Sequence, residues 1–225
     1  MSTRAVILLA GLGSRLGRPH PKPLTPLSDG QSILARQLGI VRSFDLPVIG
    51  VVGFKMELVM EAAPDILFAY NPNYDATNTA KSLLCALRQT RGENILWMNG
   101  DVVFEPAIIE RLLEVGEPAV AVNNARTAEE EVKYTLNDDG YINAISKQVG
   151  NARGEALGIN YVPAELVEAF CDKLDSVGDN DYFEKAMEEL IEERGNVFRA
   201  VDVSDLLCME VDFDSDLQAV NKLLD

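Results

Sequence analysis

The residues best suited to chemistry in this chain are two glycines and two cations near its start. Residues 9–17 read Leu-Ala-Gly-Leu-Gly-Ser-Arg-Leu-Gly, and residues 21–24 read Pro-Lys-Pro-Leu. Gly11 and Gly13 let the backbone approach a ligand closely, and successive amides in such a loop cradle phosphate oxygens. Arg15 and Lys22 add the compensating charge. The loop is the size of a triphosphate site. Neither common glycine loop fits it. The dinucleotide fingerprint wants its third glycine one place before Gly17, prolines at 19, 21, 23 and 26 interrupt any helix, and Gly53-Phe54-Lys55 after the second expected strand supplies no carboxylate. A phosphate loop of the ATPase type would need Gly-Lys-Ser or Gly-Lys-Thr, which is absent.

Two acidic segments complement the loop. Asp101, in Asn99-Gly100-Asp101, follows an apolar run and suits a hard cation such as Mg2+. In Glu210-Val211-Asp212-Phe213-Asp214, strand alternation turns Asp212 away from its neighbours, and Asp214 reads as the N-cap of the last helix. Each carboxylate alone says little in so acidic a chain. With the cationic loop they form a metal–triphosphate constellation.

The elements that position these groups alternate along the chain. Apolar, β-branched runs at 5–9, 47–52, 66–70 and 94–98 predict strands, separated by helical spacing at 32–41, 55–63 and 79–90. A hairpin is expected at 133–136 and 141–145 around Asn137-Asp138-Asp139-Gly140. Strands at 155–162, 197–201 and 208–212 and helices at 163–174, 182–194 and 215–224 complete the reading. The expected fold is α/β, with three layers and a Rossmann-like, mostly parallel sheet carrying an antiparallel edge. Ligands of such sheets bind beyond the carboxyl ends of the strands, where both motifs fall.

Composition bounds the rest. The 225 residues are 47% apolar and 25% charged, which fits one globular domain over 1–225 and excludes disordered and fibrous classes. A net charge of -16 opposes binding of nucleic acid, whereas a small anion in a local basic pocket is compatible with it. Cys85, Cys171 and Cys208 are widely spaced in apolar stretches and read as buried thiols of a reducing compartment. The single histidine, His20, lies between prolines, which disfavours a zinc site or a Ser-His-Asp triad. No run is long enough for a signal peptide or a membrane span, so a cytoplasmic location is expected. Glu129-Glu130-Glu131 and the glutamates of 188–193 read as solvated faces, with Lys185 and Glu189 as an ordinary helix pair.

The loop motif, with Asn99-Gly100-Asp101 and Glu210-Val211-Asp212, resembles the nucleotidyltransferases that make activated sugars and alcohols from nucleoside triphosphates. The resemblance runs essentially the length of the chain and implies the nucleotidyltransferase or glycosyltransferase A-like fold. Asn71-Pro72-Asn73-Tyr74, Asn78-Thr79-Ala80-Lys81-Ser82-Leu83, Gly158-Ile159-Asn160-Tyr161 and Asp181-Tyr182-Phe183-Glu184 are similar to segments of bacterial phosphocholine cytidylyltransferases. Molybdenum-cofactor nucleotidyltransferases, with a double glycine in the loop, fit less well.

The resemblance implies transfer of a nucleoside monophosphate, CMP from CTP by preference, to a small phosphorylated alcohol such as phosphocholine, with release of pyrophosphate. It implies Arg15 and Lys22 as catalytic cations, and Leu9, Ala10, Gly11, Gly13, Ser14, Asn78 and Ser82 as the nucleotide site. Asp101 and Asp212 would carry Mg2+, and Lys147, Glu155, Asn160 and Tyr182 would meet the acceptor. Trp97 reads as a packing residue. Tyr182 and Phe183 are candidates for part of an aromatic cage, with Tyr134, Tyr141 and Tyr161 either contributing or simply sheet residues. Lys133 reads as a surface residue. Hexose phosphates, inositol phosphate and aminoalkyl phosphonates remain open as acceptors, and a homodimer is compatible with the apolar helix faces. The rivals are a non-catalytic nucleotide sensor and a glycosyltransferase, whose usual Asp-x-Asp is absent at Asp101-Val102-Val103.

Overall fold

The structure, a computed structural model, describes residues 2–13, 16–125 and 131–224. Its frame is a mixed sheet. Strands β1 (Thr3–Leu8), β2 (Val48–Val52), β3 (Leu67–Tyr70) and β4 (Asn94–Asn99) alternate with helices α1 (Ile33–Ser43), α2 (Met56–Ala62) and α3 (Thr79–Leu87). A short strand β5 (Val102–Phe104), helix α4 (Ala107–Val115) and strand β6 (Ala119–Asn123) follow. The hairpin β7 (Lys133–Leu136) and β8 (Ile142–Ser146) leads to the long β9 (Gly154–Val162). Helices α5 (Ala164–Ser176) and α6 (Phe183–Arg194), strands β10 (Arg199–Asp202) and β11 (Cys208–Glu210), and helix α7 (Asp214–Leu224) complete the chain.

The sheet runs β10-β6-β9-β4-β1-β2-β3. Every pairing on this path is parallel except the two made by β9, which runs antiparallel between β4 and β6. Antiparallel pairing therefore lies inside the sheet as well as at its side, where β7 joins the start of β9. The alternation rule could not have told the direction of β9, because a strand buried on both faces is apolar throughout whichever way it runs. Strands β5 and β6 were not anticipated from the sequence.

Helices α3, α5 and α6 cover one face over a core containing Val6, Leu8, Trp97, Phe170, Phe183 and Phe198. Helices α1, α2 and α4 cover the other, over Ile7, Leu9, Met98, Ile108 and Leu112. Trp97 is fully buried, with its ring centroid 5.3 Å from that of Phe170 and 5.7 Å, edge-on, from that of Phe183. Side chains of this size each contribute about 1.5–3 kcal/mol through burial, which seats α5 and α6 firmly on the sheet.

Several local expectations change. Ser32 caps α1 through Ala35 N–H at 3.1 Å, as its type suits. The start of α7 is capped by Asp216, which accepts from the amides of Asp212 and Phe213, while Asp214 pairs instead with Arg18 at 2.6 Å. Lys185 meets Glu188 at 2.8 Å rather than Glu189. The three cysteines are unpaired and half-buried rather than buried. Among the described residues, no helix is long and apolar enough to cross a membrane.

Candidate active site

Strand order reverses at β1, whose chain neighbours go to one side while β4 lies on the other. The carboxyl ends of β1 and β4 thus open a crevice at the switch point, where α/β sheets bind ligands. Two glycines shape it. Gly13 has φ +60°, a conformation unfavourable for other residues, and a Cβ there would stand 3.1 Å from Lys22 Cβ, so the loop lies directly against the lysine. A Cβ on Gly100 would stand 2.5 Å from the Leu8 carbonyl oxygen, so β4 can turn this close to β1 only without a side chain.

Lys22 stands at the start of a 3-10 turn, Lys22–Leu24, following Pro21. It is 8% exposed, and its ammonium donates to Asp101 Oδ2 at 2.8 Å and to Asp212 Oδ1. Burial alone would lower the pKa of this lysine, but the two carboxylates outweigh it and hold the ammonium above the ordinary lysine range. Asp212 reaches Asp101 because β11 pairs antiparallel with β5, Glu210 opposite Val102, and Val211 N–H donates to the Asp101 carbonyl at 3.0 Å. Residues far apart in sequence thereby converge on one ammonium.

Of the groups that support this site, Gln37 was not singled out from the sequence, and Asn99, Glu210 and Glu131 entered only as members of quoted segments. Gln37 of α1, 1% exposed, donates to the carbonyls of Asn99 and Val102 at 2.9 and 2.8 Å and pins the turn that carries Asp101. Asn99 donates to Glu210 at 3.1 Å. Burial, and then the negative charge of Asp101, pushes the Glu210 carboxyl above the usual range. Glu131 also lines the cleft, so the acidic run 129–131 is not merely a solvated face at that residue.

The cavity at the switch point, about 240 Å3, is lined by Ala10, Gly11, Asn78, Ser82, Asp101, Lys147, Tyr182 and Asp212 among the expected site residues. Leu9, Gly13 and Lys22 line an adjoining hollow that shares Leu8, Gly11, Gly100 and Asp101 with it. Asn78 caps α3, and Ser82 accepts from the buried Asn71 at 3.0 Å, so Asn71 ties the 71–74 segment to this helix. Lys147 Nζ lies 4.8 Å from the centre of the Tyr182 ring. Glu155 lines a neighbouring hollow with Glu131, Glu210 and Asp212.

Other expected residues stand apart. Asn160 is 1% exposed, paired in the sheet with Trp97 and Val120, and lines none of these hollows; burial removes it from the acceptor surface. Tyr134 and Tyr161 are buried sheet residues, and Tyr141 packs on Arg199 and donates to Glu117 at 2.9 Å; none of the three lines the cavity. Lys133 is half-buried and donates to the Lys147 carbonyl at 3.4 Å. Arg15, Ser14 and the run's Glu129 and Glu130 lie outside the described residues. Among the described residues, no group of three or more His, Cys, Asp or Glu side chains is gathered tightly enough to hold a metal ion.

A family model described as the MobA-like NTP transferase domain matches residues 5–180. The chain belongs to that family. The match is to the domain as a whole, and the loop after β1, Leu9-Ala10-Gly11-Leu12-Gly13, has no double glycine. A curated relative, CMP-5'-(3-aminopropyl)phosphonate synthase of Streptomyces rubellomurinus, is 34% identical over 93% of this chain. The chain spans only 37% of that relative's length. The CTP:phosphocholine cytidylyltransferase of Streptococcus pneumoniae shares the fold with a TM-score of 0.79 at 17% identity, covering 100% of both chains. The inositol-1-phosphate CTP transferase of T. maritima gives 0.80 at 17% identity, covering 99% of this chain and 94% of its own. The nucleotidyltransferase fold expected from the loop is the fold observed.

Proposed function

We propose that this chain transfers CMP from CTP to a phosphate or phosphonate oxygen of a small acceptor and releases pyrophosphate. The observation that carries the reading is the convergence of Lys22, Asp101 and Asp212 at the sheet's switch point beside the glycine loop. The preference for CTP leans on the relative named for a CMP conjugate. The acceptor oxygen attacks the α-phosphorus in line, a new P–O bond forms as the α–β bond breaks, and pyrophosphate carries away the electron pair.

Such a displacement asks the protein for positioning and charge neutralisation rather than covalent participation. Loop amides of residues 10–14 orient the triphosphate, Arg15 draws charge from the departing pyrophosphate, and Lys22 bridges attacking and α-phosphoryl oxygens. Asn78 and Ser82, on α3 across the cavity, face the nucleoside.

The donor set around Asp101 fits a hard divalent cation. Its Oδ1 is buried without a hydrogen-bond partner among the described residues, and Asp212 stands on the other side of the same ammonium. Mg2+ commonly takes only one or two protein carboxylates and completes its shell with phosphates and water, so the pair suffices. When bound, the ion neutralises charge on the triphosphate. Asp101 and Asp212 would hold it, and Lys22 would serve the phosphates.

The test is pyrophosphate release with Mg2+ and each of CTP, UTP, GTP and ATP against aminoalkyl phosphonates, phosphorylated alcohols and sugar 1-phosphates. Release confined to CTP with a small phosphorylated alcohol or phosphonate supports the reading. Release with UTP and a hexose 1-phosphate moves the chain to the sugar branch, and silence with every pair rejects the transfer.

A further inference from the structure

Five carboxylates line the switch-point cavity among its described residues, Asp101, Glu131, Glu184, Glu210 and Asp212, against one cation, Lys147. Asp101 and Asp212 are engaged by Lys22, Glu210 by Asn99, and Glu131 has interactions of its own. Glu184 differs. It lies in the first turn of α6, is only 8% exposed, and its Oε2 has no hydrogen-bond partner among the described residues. Lys147 comes near enough to favour its charge but makes no ion pair with it, and burial still pushes the carboxyl up to about 7. A buried carboxylate left in this state costs stability that a glutamine of the same shape would not.

The surroundings indicate what completes it. Glu184 lines both the switch-point cavity and the hollow beside it, flanked by Tyr182 and Phe183. The Tyr182 face is a working cation seat, since it carries the Lys147 ammonium at 4.8 Å. Resting on the reading of the chain as a cytidylyltransferase, we propose that Glu184, with Tyr182, seats a primary ammonium at the far end of the acceptor. The acceptor class is then a short chain with a phosphorus oxyanion at one end and an amine at the other. A polyol end could donate hydrogen bonds to Glu184 but could not neutralise it. A quaternary ammonium has no N–H to donate to Oε2.

The experiment compares 3-aminopropylphosphonate, 3-aminopropyl phosphate, propylphosphonate and phosphocholine as acceptors for wild type, Glu184→Gln and Glu184→Asp, measuring KM and kcat by pyrophosphate release. The two aminopropyl compounds separate a phosphonate source from a phosphate one. Wild type should favour the better amine over propylphosphonate by roughly 30-fold or more, mainly in KM, the scale for losing one partner of a buried charge pair. Glu184→Gln should bring that ratio close to unity, and Glu184→Asp should restore part of it. A ratio unchanged in Glu184→Gln, or a wild type that prefers phosphocholine or propylphosphonate, overturns the proposal. Calorimetric titration of the same compounds into each protein reads the seat without turnover. If no triphosphate yields pyrophosphate but wild type still binds the amine in preference and Glu184→Gln does not, the transfer reading falls and the seat stands. Equal or absent binding of amine and propylphosphonate by wild type overturns the seat.

Discussion

At the β1 end of the cleft the charges are paired with one another: Lys22 bridges Asp101 and Asp212, and Asn99 holds Glu210. At the α6 end Glu184 is buried with an oxygen that has no partner among the described residues, and Lys147 rests on an aromatic ring. The first arrangement is charge-paired and preorganised, with Asp101 Oδ1 left open for a cation, as suits a triphosphate-handling step common to the family. The second is incomplete without a ligand, which is where selectivity between acceptors can reside, because a site with unsatisfied polar groups discriminates strongly against molecules that fail to fill it.

The comparison breaks most sharply at Lys22. Lys22→Ala should lower turnover about a hundredfold or more, the scale for removing one charged transition-state contact, with far-UV dichroism showing that the fold persists. Near-normal turnover would remove Lys22 from the chemistry. Asp212→Asn should cost less, about tenfold at saturating metal, and should raise the Mg2+ concentration needed for half-maximal rate; a rate curve over Mg2+ identical to wild type would dissociate Asp212 from the cation.

Two further changes sharpen the contrast through stability. Gly100→Ala puts a methyl 2.5 Å from the Leu8 carbonyl oxygen, against backbone that cannot swing aside. It should lower unfolding free energy by about 1–3 kcal/mol in denaturant titration, and an unchanged midpoint would mean that the β1–β4 crevice yields easily. Glu184→Gln should do the reverse. The native carboxyl titrates at about 7 against an ordinary 4.5, so the native state holds the proton more tightly and the wild type loses stability as pH rises through that window. Burial drives the effect, and the Glu184 amide and then Lys147 oppose it, while Asp101, Glu131, Glu210 and Asp212 line the same cavity. The variant should therefore melt higher than wild type at pH 8, by the equivalent of up to about 3 kcal/mol, and at the same temperature as wild type at pH 4. A gain that is the same at both pH values would show that its source is not this ionisation.

The charge-paired end was legible from the sequence, and the other end only in part: Lys147 and Tyr182 were expected at the acceptor and line the cavity, whereas Glu184 was given no role of its own. Lys22 sits near its glycines in the chain, and Asp101 and Asp212 each close an apolar strand, so residue type and spacing carried the information. Gln37 and Glu184 look like ordinary polar positions of amphipathic helices. What sets them apart is that packing turns Gln37 under the Asn99–Val102 turn and sinks Glu184 beside the cavity, which depends on contacts across 62 and more residues. Asn160 shows the converse, since its neighbours in the sequence resembled a binding segment while β9 carries it into the interior. The short β5 and the strand β6 escaped notice because their place is fixed by partners far along the chain, β11 and β9 respectively.

The direction of β9 also has a consequence for assembly. Strands β1 to β4 can form a four-stranded sheet from segments contiguous in the chain, yet β6 touches that sheet only through β9. Until residues 154–162 leave the ribosome, the β4 flank is an open edge and β6 has no place to dock. The half-sheet waits with an apolar strand exposed, the kind of edge that recruits neighbouring chains. Insertion of one reversed strand closes both flanks at once, so substitutions that slow β9 should show first as poor recovery of soluble protein during expression, before any loss of activity in the molecules that do fold.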